Sequence, residues 1–141
     1  MQKNIVRDQN FLSQKSVPAT RADLPTALDL VDTLAANADR AVGLAANMIG
    51  VKKQIIAVSI GVMNIAMLNI AMLNPKLIKK SHPYQAKEGC LSLTGERSTT
   101  RYKEIEVQYQ DLNFKKQTQH FSGWIAEIIQ HEIDHCAGIL I

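Results

Sequence analysis

The sequence predicts an α+β fold, and three observations predict it. A run near the N-terminus and another at the C-terminal end repeat apolar residues at helical spacing. The stretch between them breaks into short apolar or alternating segments of strand length. Turn-forming residues separate those segments.

The first helix is expected from Asp23 to Arg40, where Leu24, Leu28, Val31, Leu34, Ala35 and Ala38 recur every three or four residues. Asp23 is a natural N-cap and Pro25 suits the first turn. Gly43 then opens a glycine- and alanine-rich segment. Residues 55–73 form one long apolar stretch, but Ser59, Gly61, Asn64 and Asn69 interrupt it. Two buried strands with a turn near Gly61 to Asn64, followed by a strand leading to Pro75, fit it better than a membrane span. Its tandem NIAML repeat (64–68 and 69–73) has an odd period, so equivalent residues would face opposite sides of a strand. Strand signals return at Glu104 to Tyr109 and Asn113 to Phe121, with a turn at Asp111 to Asn113. The last helix is expected after Ser122 as N-cap and to end just before Gly138. On a helical wheel its apolar residues cover most of the circumference, leaving Glu127, Gln130 and Asp134 as a polar arc. Such a helix, Trp124 included, is expected to be buried.

With 141 residues, 46% of them hydrophobic, the chain has material for one domain spanning 1–141. The net charge of +3 is mild, and the basic residues Lys76, Lys79, Lys80 and Lys87 lack interleaved aromatics. Sequence-specific nucleic-acid binding is not expected, nor is a membrane role. The opening residues MQKNIVRDQNFLSQ are polar and of mixed charge, unlike a secretory signal. A reducing, cytoplasmic setting follows, in which Cys90 and Cys136 are expected to stay free thiols.

The chemistry concentrates in His131-Glu132-Ile133-Asp134-His135. Residues four apart stack on one helix face, so His131 and His135 can aim both imidazoles at one point, with Glu132 on its flank. That arrangement supplies two metal ligands and a general base. A catalytic metal usually takes three protein ligands. Of the other histidines, His82 and His120 lie in polar surroundings that read as exposed loops. Cys136 reads as a small buried apolar residue on the same helix. Cys90, in Glu88-Gly89-Cys90-Leu91-Ser92, has a glycine beside it and a loop to aim it, which makes it the better third ligand.

With Glu88-Gly89-Cys90-Leu91-Ser92, Gln130 to His135, the segment Ala41 to Met48 and the MLNPKLI run (72–78) in this order, the chain resembles the peptide deformylase family. The resemblance implies antiparallel β-sheets packed around a central helix that bears the HExxH pattern. It implies one divalent ion on Cys90, His131 and His135, with Fe²⁺ foremost and Zn²⁺ or Ni²⁺ able to replace it. The implied reaction removes the formyl group from the N-terminal formyl-methionine of newly made polypeptides, by attack of an activated water with Glu132 as base. The Leu91 N–H would serve the oxyanion, and Val42, Gly43 and Leu44 would edge the peptide groove. Formylated nascent chains, met at the ribosome, are the implied partners, and a monomer or weak dimer the expected state. Glu88 would accept the second N–H of a ligand histidine, and Asp134 should pair, with Arg101 the candidate.

The departure is Met48, which stands where the family carries an oxyanion-stabilising glutamine. A thioether offers no donor, so the alternative is a catalytically weak or inactive deformylase-like protein that binds metal and peptide. Asn47 would restore a donor only if the backbone turned differently. A metal-dependent peptidase is the third reading, disfavoured because no further ligand follows His135 at the usual distance.

Overall fold

The computed structural model describes residues 1–60 and 69–141. Among them lie three α-helices, α1 (Gln9–Leu12), α2 (Leu24–Ala36) and α3 (Gly123–Cys136). Five strands accompany them: β1 (Gly43–Ala45), β2 (Ile55–Ser59), β3 (Asn69–Gly89), β4 (Glu96–Gln110) and β5 (Lys116–Ser122). The strands join in chain order into one five-stranded antiparallel sheet, not the several sheets expected.

Helix α2 starts where its sequence says, with Asp23 as N-cap and proline in the first turn, but it ends four residues early. Asn37 stops it by turning its amide back onto the Thr33 carbonyl at 2.8 Å, a competing bond typical of Asn at helix ends. Ala27, Leu30 and Leu34 are buried, whereas Leu28 points outward and is 51% exposed. The apolar stripe is therefore narrower than the sequence periodicity suggests.

Strands β2 and β3 account for the described parts of the apolar stretch 55–73. The expected turn near Gly61 to Asn64 and the first NIAML copy lie outside the described residues. Every residue of β2 is buried, as befits a strand covered on both faces. Strand β3 does not stop near Pro75. It bends at Asn74 (φ 53°), whose side chain bonds Ala19 and Gln110, and runs on to Gly89 against β4. This long hairpin absorbs His82, expected in a loop, while β5 absorbs His120. Both remain exposed, because they sit on polar stretches of the sheet. Strand β5 begins at Lys116, three residues later than expected, because Asp111 holds residues 111–115 in a turn through the Asn113 and Lys115 amides.

Helix α3 packs against β1, β2 and β4, while α2 lies over β2 and β3. The core between them is filled by Leu30, Leu34, Leu44, Ile55, Ile56, Met72, Leu73, Ile105 and Ile129. Trp124, expected inside, is 51% exposed at the first turn of α3. Gln130 is the converse: from the polar arc it is buried against β4, where its amide accepts from Tyr102 N–H and donates to Tyr102 O, both at 2.9 Å. A side chain that satisfies one residue's entire backbone locks the helix at a fixed height on the sheet.

Candidate metal centre and its cleft

Strand β3 ends at Gly89 and releases the chain into a loop, 90–95, whose first residue is Cys90. Two imidazoles meet its thiol from α3. The Nε2 atoms of His131 and His135 are 3.1 Å apart, and Cys90 Sγ lies 3.4 Å from His135 Nε2. All three donor atoms fall within 4.8 Å of one another. A tetrahedral ion with ordinary zinc–nitrogen and zinc–sulfur lengths needs N···N edges of about 3.3 Å and N···S edges of about 3.6 Å. The donor set therefore fits a divalent cation.

Electrostatics agree with that fit. Burial disfavours charge on both rings. At His131 it is outweighed by hydrogen bonding to Cys90 and Glu88, which lifts the pKa to about 10. At His135 burial and the neighbouring His131 charge act together and press it down to about 3. Both shifts arise because two buried imidazoles and a thiol crowd around one point.

A chain of ion pairs, buried at Glu88 and Arg101 and partly exposed at Asp134, braces the candidate ligands from behind. His131 Nδ1 donates to Glu88 Oε1 at 2.8 Å, which leaves Nε2 to face the thiol. Arg101 grips the same carboxylate with two bonds, Nε to Oε2 at 2.8 Å and Nη2 to Oε1 at 2.7 Å. Its remaining arm, Nη1, donates to Asp134 Oδ2 at 2.7 Å. Burial opposes the Glu88 charge, but the His131 and Arg101 bonds prevail and hold its pKa near 2. One guanidinium on β4 so connects the end of β3 to α3, and both anchors neighbour a ligand.

Glu132 turns toward the other side. Its carboxyl group is buried, Oε1 has no partner among the described residues, and burial raises its pKa to about 7. Gly43 in β1 lies against it. A Cβ built there would come within 2.7 Å of Ile128 Cγ2 and 2.9 Å of Glu132 Oε2, so glycine is needed for β1 to pass this close.

These groups border a cleft of about 550 Å³, lined on one side by Ala41, Val42, Gly43 and Met48. Glu88, Gly89, Cys90 and Leu91 line the opposite side, and Ile128, His131 and Glu132 form the helix wall. The Leu44 side chain is wholly buried in the core, turned inward between Gly43 and Ala45, so any part it takes at the groove edge is through its backbone. Met48 borders the cleft, yet its Sδ accepts the Ala45 N–H at 3.4 Å and donates nothing. Asn47 does not line the cleft, and its amide is spent on the His135 carbonyl at 2.9 Å. Both cysteines are free.

Four cleft residues escaped the sequence reading, Ile128 among them, since it read only as part of the helix's apolar surface. Arg40 and Lys87 stand at the rim, and Glu127 accepts the Tyr84 hydroxyl at 2.9 Å. Lys87 had a signal in its place beside Glu88 on an alternating strand; Arg40 and Glu127 resemble any solvated charge.

Comparison with known proteins agrees with this arrangement. The family model described as polypeptide deformylase matches residues 2–141. A peptide deformylase of Clostridium beijerinckii is 52% identical over 141 residues, covering all of both chains. One of Orientia tsutsugamushi is 38% identical over 124 residues, or 80% of this chain and 67% of the relative. Among solved structures, a probable peptide deformylase from synechococcus phage S-SSM7 superposes with a TM-score of 0.83 at 30% identity, covering 98% of this chain and 95% of its own. A class I type b peptide deformylase from Acinetobacter baumannii, solved with Met-Ala-Ser bound, gives 0.85 at 25% identity over 99% and 97%. With its motifs, its fold and its nearly full-length match all in agreement, this chain belongs to the polypeptide deformylase family.

Proposed function

We propose that the chain is a metal-dependent hydrolase that removes the formyl group from N-terminal formyl-methionine of newly made polypeptides. The observation that carries the reading is the meeting of Cys90, His131 and His135 beside the buried carboxyl of Glu132, in an open cleft of a family member. Residues 1–141 act as one catalytic domain, with α3 as its central helix and α2 as its N-terminal amphipathic cover. Cys90, His131 and His135 would hold one divalent ion, Fe²⁺ in the cell, with Zn²⁺ or Ni²⁺ able to replace it. Bound there, such an ion supplies Lewis acidity and lowers the pKa of a water molecule toward neutrality.

The residues of the chain do the rest. Glu132, with a pKa raised to about 7 by burial, is suited to accept a proton from the attacking water and return it to the departing amine nitrogen. Water adds to the formyl carbon and the C–N bond breaks, giving formate and the free amino terminus. The Leu91 N–H serves the developing oxyanion, and the backbone of Val42, Gly43 and Leu44, at the outer edge of the terminal strand β1, receives the peptide as an added strand. The methionyl tripeptide in the Acinetobacter structure has the chemistry of the deformylated product, which supports this assignment. Formylated nascent chains at the ribosome are the proposed partners, the cytoplasm the proposed location, and a monomer or weak dimer the proposed state. In the described residues no helix is long and apolar enough to cross a membrane.

The alternative, a silent metal- and peptide-binding protein, rests on Met48 alone. Formate release from a formyl-Met tripeptide by anaerobically prepared Fe²⁺ protein decides between them. We expect turnover that Glu132→Ala lowers by about 10²–10⁴-fold with the metal retained. A parent protein without turnover overturns the hydrolase reading.

A further inference from the structure

We propose that Arg7 is a positioning residue for this reaction, acting with Val6 as a strap across the oxyanion end of the cleft. The proposal rests on the deformylase reading, which places Leu91 and Met48 at that end. Two segments meet there from distant parts of the chain: the 3-10 turn Ala46–Ile49 after β1, and the loop that follows β3. One dipeptide bonds both. Val6 N–H donates to the Met48 carbonyl at 2.7 Å, and Arg7 Nη1 donates to the Leu91 carbonyl at 2.8 Å.

The loop has need of such a tether. Within it, Leu93 N–H reaches the Cys90 carbonyl only at 3.3 Å, and the buried Ser92 hydroxyl has no partner among the described residues. Arg7 gives this loop its shortest bond, one made by a charged donor and therefore stronger than a neutral bond. Gripping the Leu91 carbonyl fixes the Leu91–Ser92 peptide plane. The Leu91 N–H lies in the preceding plane, with the Cys90 carbonyl, and is restrained indirectly, through the limit this anchor sets on the Leu91 backbone torsions. The strap is itself held at both ends. Ile5 and Val6 pack against the core, and Asp8 caps α1 by accepting the Asn10 N–H at 2.9 Å. With Met48 offering no donor, the aim of the Leu91 N–H matters more here than it would with two donors present.

The test compares Arg7→Ala and Arg7→Lys with the parent in two measurements on the metal-loaded protein. Amide hydrogen exchange in residues 90–93 should rise at least about 5-fold in Arg7→Ala, with α3 unchanged. In the formate assay kcat should fall about 5–10-fold, with KM within about twofold and one metal per chain retained. Arg7→Lys, which keeps a cationic donor, should recover at least half of both effects. Unchanged exchange, unchanged kcat, or a loss explained by lost metal overturns the proposal. A parent that releases no formate refutes the hydrolase reading and the catalytic half of this one with it. The exchange measurement still decides whether the strap exists.

Discussion

The two walls of the cleft are built to different standards. On the side of the candidate metal ligands, Glu88, Arg101 and Asp134 form a continuous set of buried and part-buried bonds behind His131, with no distance above 2.8 Å. On the proposed oxyanion side, Met48 offers a thioether, the Asn47 amide is taken by the His135 carbonyl, and Arg7 makes the shortest hydrogen bond to a loop otherwise held by packing of Leu91 and Leu93. The difference teaches which property the chain secures by redundancy. Ligand geometry is fixed by many groups that must move together, whereas stabilisation of the developing charge depends on few. Mutations should therefore separate metal binding from turnover.

The largest break should come where the walls touch. Gly43→Ala places a methyl group against Ile128 and Glu132. It should cost at least about 10²-fold in kcat through displacement of the base, with metal content unchanged. Parallel metal analysis and formate assays check this. Full activity would show that β1 can retreat without disturbing Glu132. Met48→Gln tests the sparse wall from the opposite direction. Supplying an amide should raise kcat by up to about 10²-fold, the worth of one oxyanion donor, and leave metal affinity alone. No gain would mean that another donor already fills the role. The smallest effect belongs to the braced wall. Arg101→Met leaves Glu88 and Asp134 without their shared cation and should weaken metal affinity about 10–100-fold by competition with a chelator. An unchanged affinity would show that Glu88 orients His131 unaided.

The metal wall was largely legible in the sequence and the rest less so, for physical reasons. Histidines four apart on a helix have one geometric consequence, and Cys90 beside Gly89 had few rivals as third ligand. Charges that must be buried need partners, which singled out Arg101 for Asp134. Trp124 was misplaced because periodicity gives a face but not what covers it. Trp124 sits in the first turn of α3 and is half exposed. The extent of β3 was hidden because Asn74 and Pro75 read as an end, although a side chain bonding two neighbouring segments lets the strand bend and continue. Arg7 gave no signal at all, since its partner is a backbone carbonyl and carbonyls look alike in a sequence.

The central claim is that one sulfur and two imidazoles hold a single cation that the reaction requires. Metal titration of the anaerobic protein beside Cys90→Ala, with formate release followed at each point, tests it most directly. The account predicts one tightly held divalent ion per parent chain, with activity rising in step and ending at that equivalence, and a variant that loses both. Stoichiometric, tightly bound metal in Cys90→Ala, or turnover that does not follow the metal, would contradict it.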